Sequence, residues 1–290
     1  MDAELLLEAL VSGVLLGGFY AAVSVGLSVA FGLLEVPHIA HPALLVLGGY
    51  GTWWLNARGL DPLLAGLLLA PLFHVLGSGL HRFHHAVFER GGGEAGLRSL
   101  AFFFGIAFIL EVALMLAFGV DQRTARAPYI GSGLTVAGMR LPSRMLVAAA
   151  VALALAAALH LYLARTFAGR AIRAVAQDPV ALSLLGADPV RVRRHGFALA
   201  TASCAVAGAL LVIVGPVEPG LGRLYIGRTF CVAVLAGLGS MPGTVAAGVV
   251  LGVSESLVLS TLGASWAPAV AFGLLLTVLA LRPQGLWAGR

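Results

Sequence analysis

Lysine is missing from this 290-residue chain, so all 18 of its basic side chains are Arg. Charge of either sign is scarce, at 11% of residues, where soluble domains carry about 25%. A water-soluble globule of this length would have too few charges to cover its surface. Only two cysteines occur, Cys204 and Cys231, both in apolar stretches, which gives no disulfide framework and no thiolate metal site. The 38 glycines show no three-residue period, excluding a collagen-like chain, and an apolar content of 60% excludes intrinsic disorder. What remains is an integral membrane protein.

A bilayer core takes about 20 apolar residues per helical span, and segments such as 146–159 (LVAAAVALALAAAL) are apolar all round. A β-barrel would alternate apolar and polar residues instead. Apolar runs occur at about 5–33, 40–55, 62–80, 97–118, 145–164, 196–215, 229–238, 243–260 and 265–281. The spacing predicts an all-α, polytopic fold with eight or nine crossings. The acidic start (Asp2, Glu4, Glu8) has no basic n-region, so its first apolar stretch is expected to be a retained span. If 81–98, 165–195 and the C-terminal tail share a side, that side holds eleven Arg against seven. This bias predicts an external N-terminus and a cytoplasmic C-terminus.

Two places break the helical pattern. Residues 32–42 (GLLEVPHIAHP) put Glu35, Pro37, His38, His41 and Pro42 between two apolar runs, and 236–243 (AGLGSMPG) does the same with Gly239 and Pro242. Non-helical backbone at membrane depth survives where it is buried in protein or lines an aqueous cavity, and broken helices of this kind recur on transport pathways. A tight surface turn is the plainer reading of each. No convincing internal repeat is visible.

Residues 165–195 are the longest hydrophilic stretch, yet they are patterned. Arg170, Arg173 and Gln177 fall at i, i+3 and i+7, apart from Ile172 and Val175, which predicts a short amphipathic helix. Asp178-Pro179 supplies an N-cap followed by Pro at the first helical position, and Asp188-Pro189 repeats the signal. Between them Val180, Leu182, Leu184 and Leu185 are apolar, and Gly186 suits a left-handed helix end. Such a segment either lies on lipid or inserts into a partner's groove. The two Asp-Pro corners favour docking, with Leu182 on the docked face.

The segment GRAIRAVAQDPVALSLLGADPVRVR resembles the cytoplasmic coupling region of LivH-type permeases of branched-chain amino-acid ABC transporters. Residues 17–50, 229–256 and the tail Arg282-Pro283-Gln284-Gly285-Leu286 are similar to further motifs of that family, in the same order. Two positions depart from the pattern, His38 where Asn is usual and Pro42 where Gly is usual. The resemblance implies one transmembrane permease domain over 1–290, with its coupling segment at about 165–195, in an ATP-driven importer of the bacterial inner membrane. Arg170, Arg173, Gln177, Asp178, Leu182, Leu185 and Gly186 would couple to separate ATP-binding cassette subunits. Tyr20, His38, His41, Gly239 and Glu111 would line or shape the path. A sister permease subunit, an extracytoplasmic solute-binding protein and membrane lipid are the implied partners, with no nucleic acid and no cofactor. Branched-chain or related amino acids are the implied cargo, although relatives also serve urea and short amides.

Other residues are ambiguous. Glu111 lies mid-run and Glu255 near the end of another, where a charge normally faces the protein interior. A self-sufficient secondary transporter using Glu111 as its ion site is one alternative. An intramembrane enzyme using His38 and His41 is another, but it lacks a nucleophile or carboxylate pair. His81, His84 and His85 lack the carboxylate or thiolate support of a metal site, so no metal is expected. Gly91-Gly92-Gly93 lacks the Lys-Ser/Thr of a phosphate loop and reads as a connector.

Overall fold

A computed structural model describes residues 3–89, 95–136, 139–237, 239–282 and 284–287. The connector at Gly91–Gly93, the ends at Asp2 and Arg290, and Pro283 of the tail motif lie outside the described residues. Helix α1 (Ala3–Leu27) continues as a π-helical stretch (Ser28–Leu33) and is followed by α2 (His41–Asn56), α3 (Pro62–His84), α4 (Ala95–Phe118) and α5 (Ser143–Arg165). Two short helices, α6 (Phe167–Gln177) and α7 (Pro179–Leu184), precede α8 (Pro189–Val214), α9 (Leu221–Ala236), α10 (Met241–Thr261) and α11 (Ala267–Leu281). Among the described residues the paired strands form one hairpin before α5, in which β1 (Gly133–Val136) pairs antiparallel with β2 (Met139–Pro142), Leu134 opposite Leu141.

Among the described residues, seven helices are long and apolar enough to cross a membrane. Helices α2 and α9 have 16 residues each, about 24 Å at the α-helical rise and short of a hydrocarbon core about 30 Å thick. The non-helical stretches 34–40 and 215–220 lead into them. With these two included, nine helices among the described residues are candidates for crossings.

Helices α1 and α8 are the most buried spans. Helix α1 packs chiefly on α10, and α8 on α2 and α3. The first contact is made by two small-xxx-small pairs, Gly13/Gly17 and Gly248/Gly252, which let the backbones approach closely. A Cβ on Gly17 would lie 2.4 Å from Val249 Cα. The order long helix, 16-residue helix, long helix occurs twice, as α1–α2–α3 and as α8–α9–α10. The copies exchange partners, α1 with α10 and α8 with α3. The outer faces of α3, α4 and α11 expose Leu68, Leu72, Leu116 and Leu276 among others, as lipid-facing surfaces do.

Candidate functional site

The functional residues divide between the two ends of the bundle and its core. At one end α5 turns into α6 through Thr166, whose hydroxyl accepts from Gly169 N at 2.9 Å. Gly169 lies against the backbone of Tyr162 and Leu163, which presses α6 onto α5. Ile172 and Val175 are buried there, while Arg170, Arg173 and Gln177 are exposed. The Asp178 carboxylate accepts from Val180 N and Ala181 N, at 2.8 and 2.9 Å, and starts α7. Asp188 caps α8 in the same way, accepting from Val190 N at 2.9 Å. Gly186 between them has φ 83°, the left-handed backbone that glycine adopts without a Cβ clash.

One expectation about α7 is reversed. Leu182 is 7% exposed and belongs to the apolar cluster with Ile172 and Val175. Leu184 and Leu185 are each 84% exposed. A six-residue helix offers too few apolar positions to reveal its buried face by periodicity. Leu182 therefore anchors α7 to the chain, and Leu184 and Leu185 form the outer surface.

The same end collects the other recognisable segments. Gly239, with φ 85°, lies in the turn before α10, where Ser240 accepts from Gly243 N at 3.1 Å. A cavity of about 130 Å³ there is lined by Leu33, His160, Arg173, Gly239 and Pro242 among others. The C-terminal tail folds onto this turn, with Leu286 N donating to Leu235 O at 2.9 Å. Gly239 thus shares a cavity with Arg173 of α6.

Tyr20, His38 and His41 are buried in the protein core, at 4%, 0% and 0% exposure. His41 Nε2 donates to Val23 O at 2.9 Å, which leaves Nδ1 to accept from the Cys204 thiol at 3.2 Å. The His38 ring packs against Phe103 and Phe197, with ring centres 5.1 and 4.5 Å away. The turn motif had suggested that these histidines face the path; instead they fill the space between α2, α4 and α8. Among the described residues no three His, Cys, Asp or Glu side chains converge on a metal position.

Tyr20 joins a charged cluster that the sequence did not reveal. Its hydroxyl donates to Glu255 Oε2, and Arg228 Nε donates to Glu255 Oε1 at 2.9 Å. Arg228 also lies over the rings of Tyr20 and Tyr225, at 5.7 and 5.6 Å. The arrangement ties α1, α9 and α10 together and satisfies a carboxylate that is 3% exposed.

At the opposite end the 215–220 stretch dips inward and is held by a reciprocal backbone pair, Arg123 N to Val217 O at 2.9 Å and Val217 N to Arg123 O at 2.8 Å. Asn56 bonds the Arg126 backbone in both directions, at 2.9 and 2.8 Å. A polar cavity of about 760 Å³ opens there, lined by Trp53, Asp61, Arg123 and Arg126 among others. Beside it Tyr129 donates to Asp61; burial, and then this carboxylate, raise the phenol above its ordinary range. Glu111 on α4 meets Arg223 on α9, with Arg223 Nε 2.9 Å from Oε2 and a second donor on Oε1. This pair lines a cavity of about 390 Å³ with Met115, Val120, Glu218 and Leu224. A smaller one adjoining it is lined by Ile39 and Pro42 around the start of α2 and by Pro219 and Gly222 around the start of α9.

Arg223 and Arg228 had been counted as loop charges, with the apolar run beginning only at residue 229. They lie inside α9. Two acids set within apolar runs, Glu111 and Glu255, were the available signal, since each needs a cation nearby.

The architecture defines a multi-pass membrane permease, with a polar cavity at one end and an amphipathic appendage at the other. Residues 9–279 match the family described as branched-chain amino acid transport system / permease component, and the chain belongs to that family. It is 29% identical to the high-affinity branched-chain amino acid transport system permease protein BraD of Pseudomonas aeruginosa, over 97% of this chain and 95% of that one. It is 28% identical to LivH of Escherichia coli (strain K12), over 97% and 94% of the two chains. The structure of PsaBC from Streptococcus pneumoniae in complex with Fab aligns over 98% of this chain and 94% of that chain, at 13% identity and a TM-score of 0.46.

Proposed function

We propose that the chain is the permease subunit of an ATP-driven importer in the bacterial inner membrane, forming one transmembrane domain over its full length. The observation that carries this reading is the α6–α7 appendage. It is pinned by Ile172, Val175 and Leu182, yet presents Arg170, Arg173, Leu184 and Leu185 outward. An ATPase subunit that closes on ATP and grips this surface differently in two states shifts the bundle between inward and outward access. ATP hydrolysis belongs to that subunit. The Arg-rich α6–α8 end faces the cytoplasm, with the N-terminus outside. A solute-binding protein delivers cargo to the opposite end, and a sister permease completes the pore.

Branched-chain or related amino acids are the cargo, as for the proteins it resembles. His38 departs from the family's usual Asn, but it lies in an aromatic core, so its substitution bears on packing before selectivity. The ion pair with Arg223 already engages the Glu111 carboxylate that a secondary transporter would use as its ion site. Reconstitution tests the proposal. Leucine uptake into proteoliposomes is expected to require the ATPase subunits and ATP. Uptake by this chain alone, driven by an ion gradient, would contradict it.

A further inference from the structure

The two ion pairs of α9 differ in access, and the outer one has the geometry of a recognition site. Arg223 has an exposed side chain and forks onto both oxygens of Glu111, which is nearly buried. Helix α4 packs chiefly on α2, and the Glu111–Arg223 pair links it to α9. The adjoining cavity of about 390 Å³ falls within the range of about 300–1,000 Å³ typical of small-molecule sites. Its walls include the apolar Met115, Val120 and Leu224, with Glu218 at the rim, where Gln122 donates to Glu218 at 3.4 Å.

We propose that Glu111 and Arg223 form a binding site for the zwitterionic head of an α-amino acid, each acting as the other's stand-in partner until solute arrives. The guanidinium has five donors in a planar fork, more than its two bonds to Glu111 use, and Arg223 lines the cavity. A solute carboxylate pairs with Arg223 first, since Arg223 is the exposed member. The solute ammonium then replaces the guanidinium at Glu111, and the aliphatic side chain lies along Met115, Val120 and Leu224. Once both contacts are made, no charge is left unpaired. Urea and simple amides carry neither charge and leave the pair closed. The site rests on the amino-acid permease reading and deepens it.

Direct binding to the full chain in nanodiscs separates this site from transport as a whole. The probes are L-leucine, leucinamide, which lacks the carboxylate, and 4-methylpentanoate, which lacks the ammonium. Wild type is expected to prefer leucine over either analogue by about tenfold or more, as for the loss of a charge-assisted hydrogen bond. Glu111→Gln should erase the preference over 4-methylpentanoate and keep that over leucinamide. Arg223→Gln should do the converse. Val120→Trp fills the cavity without touching the pair, and should weaken leucine binding while leaving the unfolding temperature near wild type. Equal weakening of all three probes in both charge variants, or no change in either, overturns the site. Leucine binding without ATP-dependent uptake would retain the site and remove the importer reading. Absence of leucine binding to wild type overturns the site, even where ATP-dependent uptake by the assembled complex upholds the importer.

Discussion

Helix α9 carries two arginines five residues apart, and each meets a carboxylate from another helix, but only one of the two pairs is sealed. Arg228 lies 18% exposed against Glu255, with Tyr20 completing the carboxylate and two aromatic rings beneath the guanidinium. Arg223 lies 66% exposed against Glu111, beside a cavity. Charge complementarity is common to both, so it cannot be what distinguishes them. Solvent access and the number of elements joined do. The same contrast appears on α7, where Leu182 is buried and Leu184 and Leu185 are exposed two and three residues later. A short stretch can therefore hold an element in place with one side chain and present another outward.

The largest effect is expected at the sealed pair. Arg228→Leu leaves Glu255 buried without its cation, a change that costs about 3–5 kcal/mol in comparable cases. It should appear as a lower unfolding temperature and reduced yield of folded protein in detergent. Arg228→Leu with Glu255→Leu should recover most of that loss. Next comes α7. Leu182→Ala should cost about 2–5 kcal/mol, as other buried Leu→Ala truncations do, and loosen α6–α7. Leu184→Asp with Leu185→Asp should leave unfolding unchanged and abolish ATPase capture in co-purification. If the two α7 variants behave alike, the division between buried and presented faces is wrong.

A smaller effect is expected at Gly186, where a β-branched residue must adopt φ 83°. Gly186→Val should cost about 1–2 kcal/mol, confined to α7 and visible as faster hydrogen exchange there. Least of all, Arg223→Gln should leave the unfolding temperature close to wild type while changing solute preference. A large drop in stability would place Arg223 with Arg228 as a structural residue.

Much of this was legible in sequence where the controlling interactions are local. The Asp178-Pro179 and Asp188-Pro189 corners are N-caps that act within three residues, and both stand as expected. Apolar runs located the long spans because lipid imposes length. What escaped depends on partners distant in the chain. Arg223 and Arg228 interrupt an apolar run, so α9 looked shorter than its 16 residues. Their carboxylates come from α4 and α10, and only the fold brings them together. Tyr20, His38 and His41 sit in recognisable segments, yet a motif does not say whether its side chains face a path or a core. The glycines joining α1 and α10 are ordinary in composition, and their meaning appears only when the helices meet.

A double-mutant cycle on unfolding free energy, run identically on Arg228/Glu255 and Arg223/Glu111, tests the contrast most directly. The account predicts strong coupling for the sealed pair and none that is measurable for the open one. Equal coupling in the two cycles would contradict it.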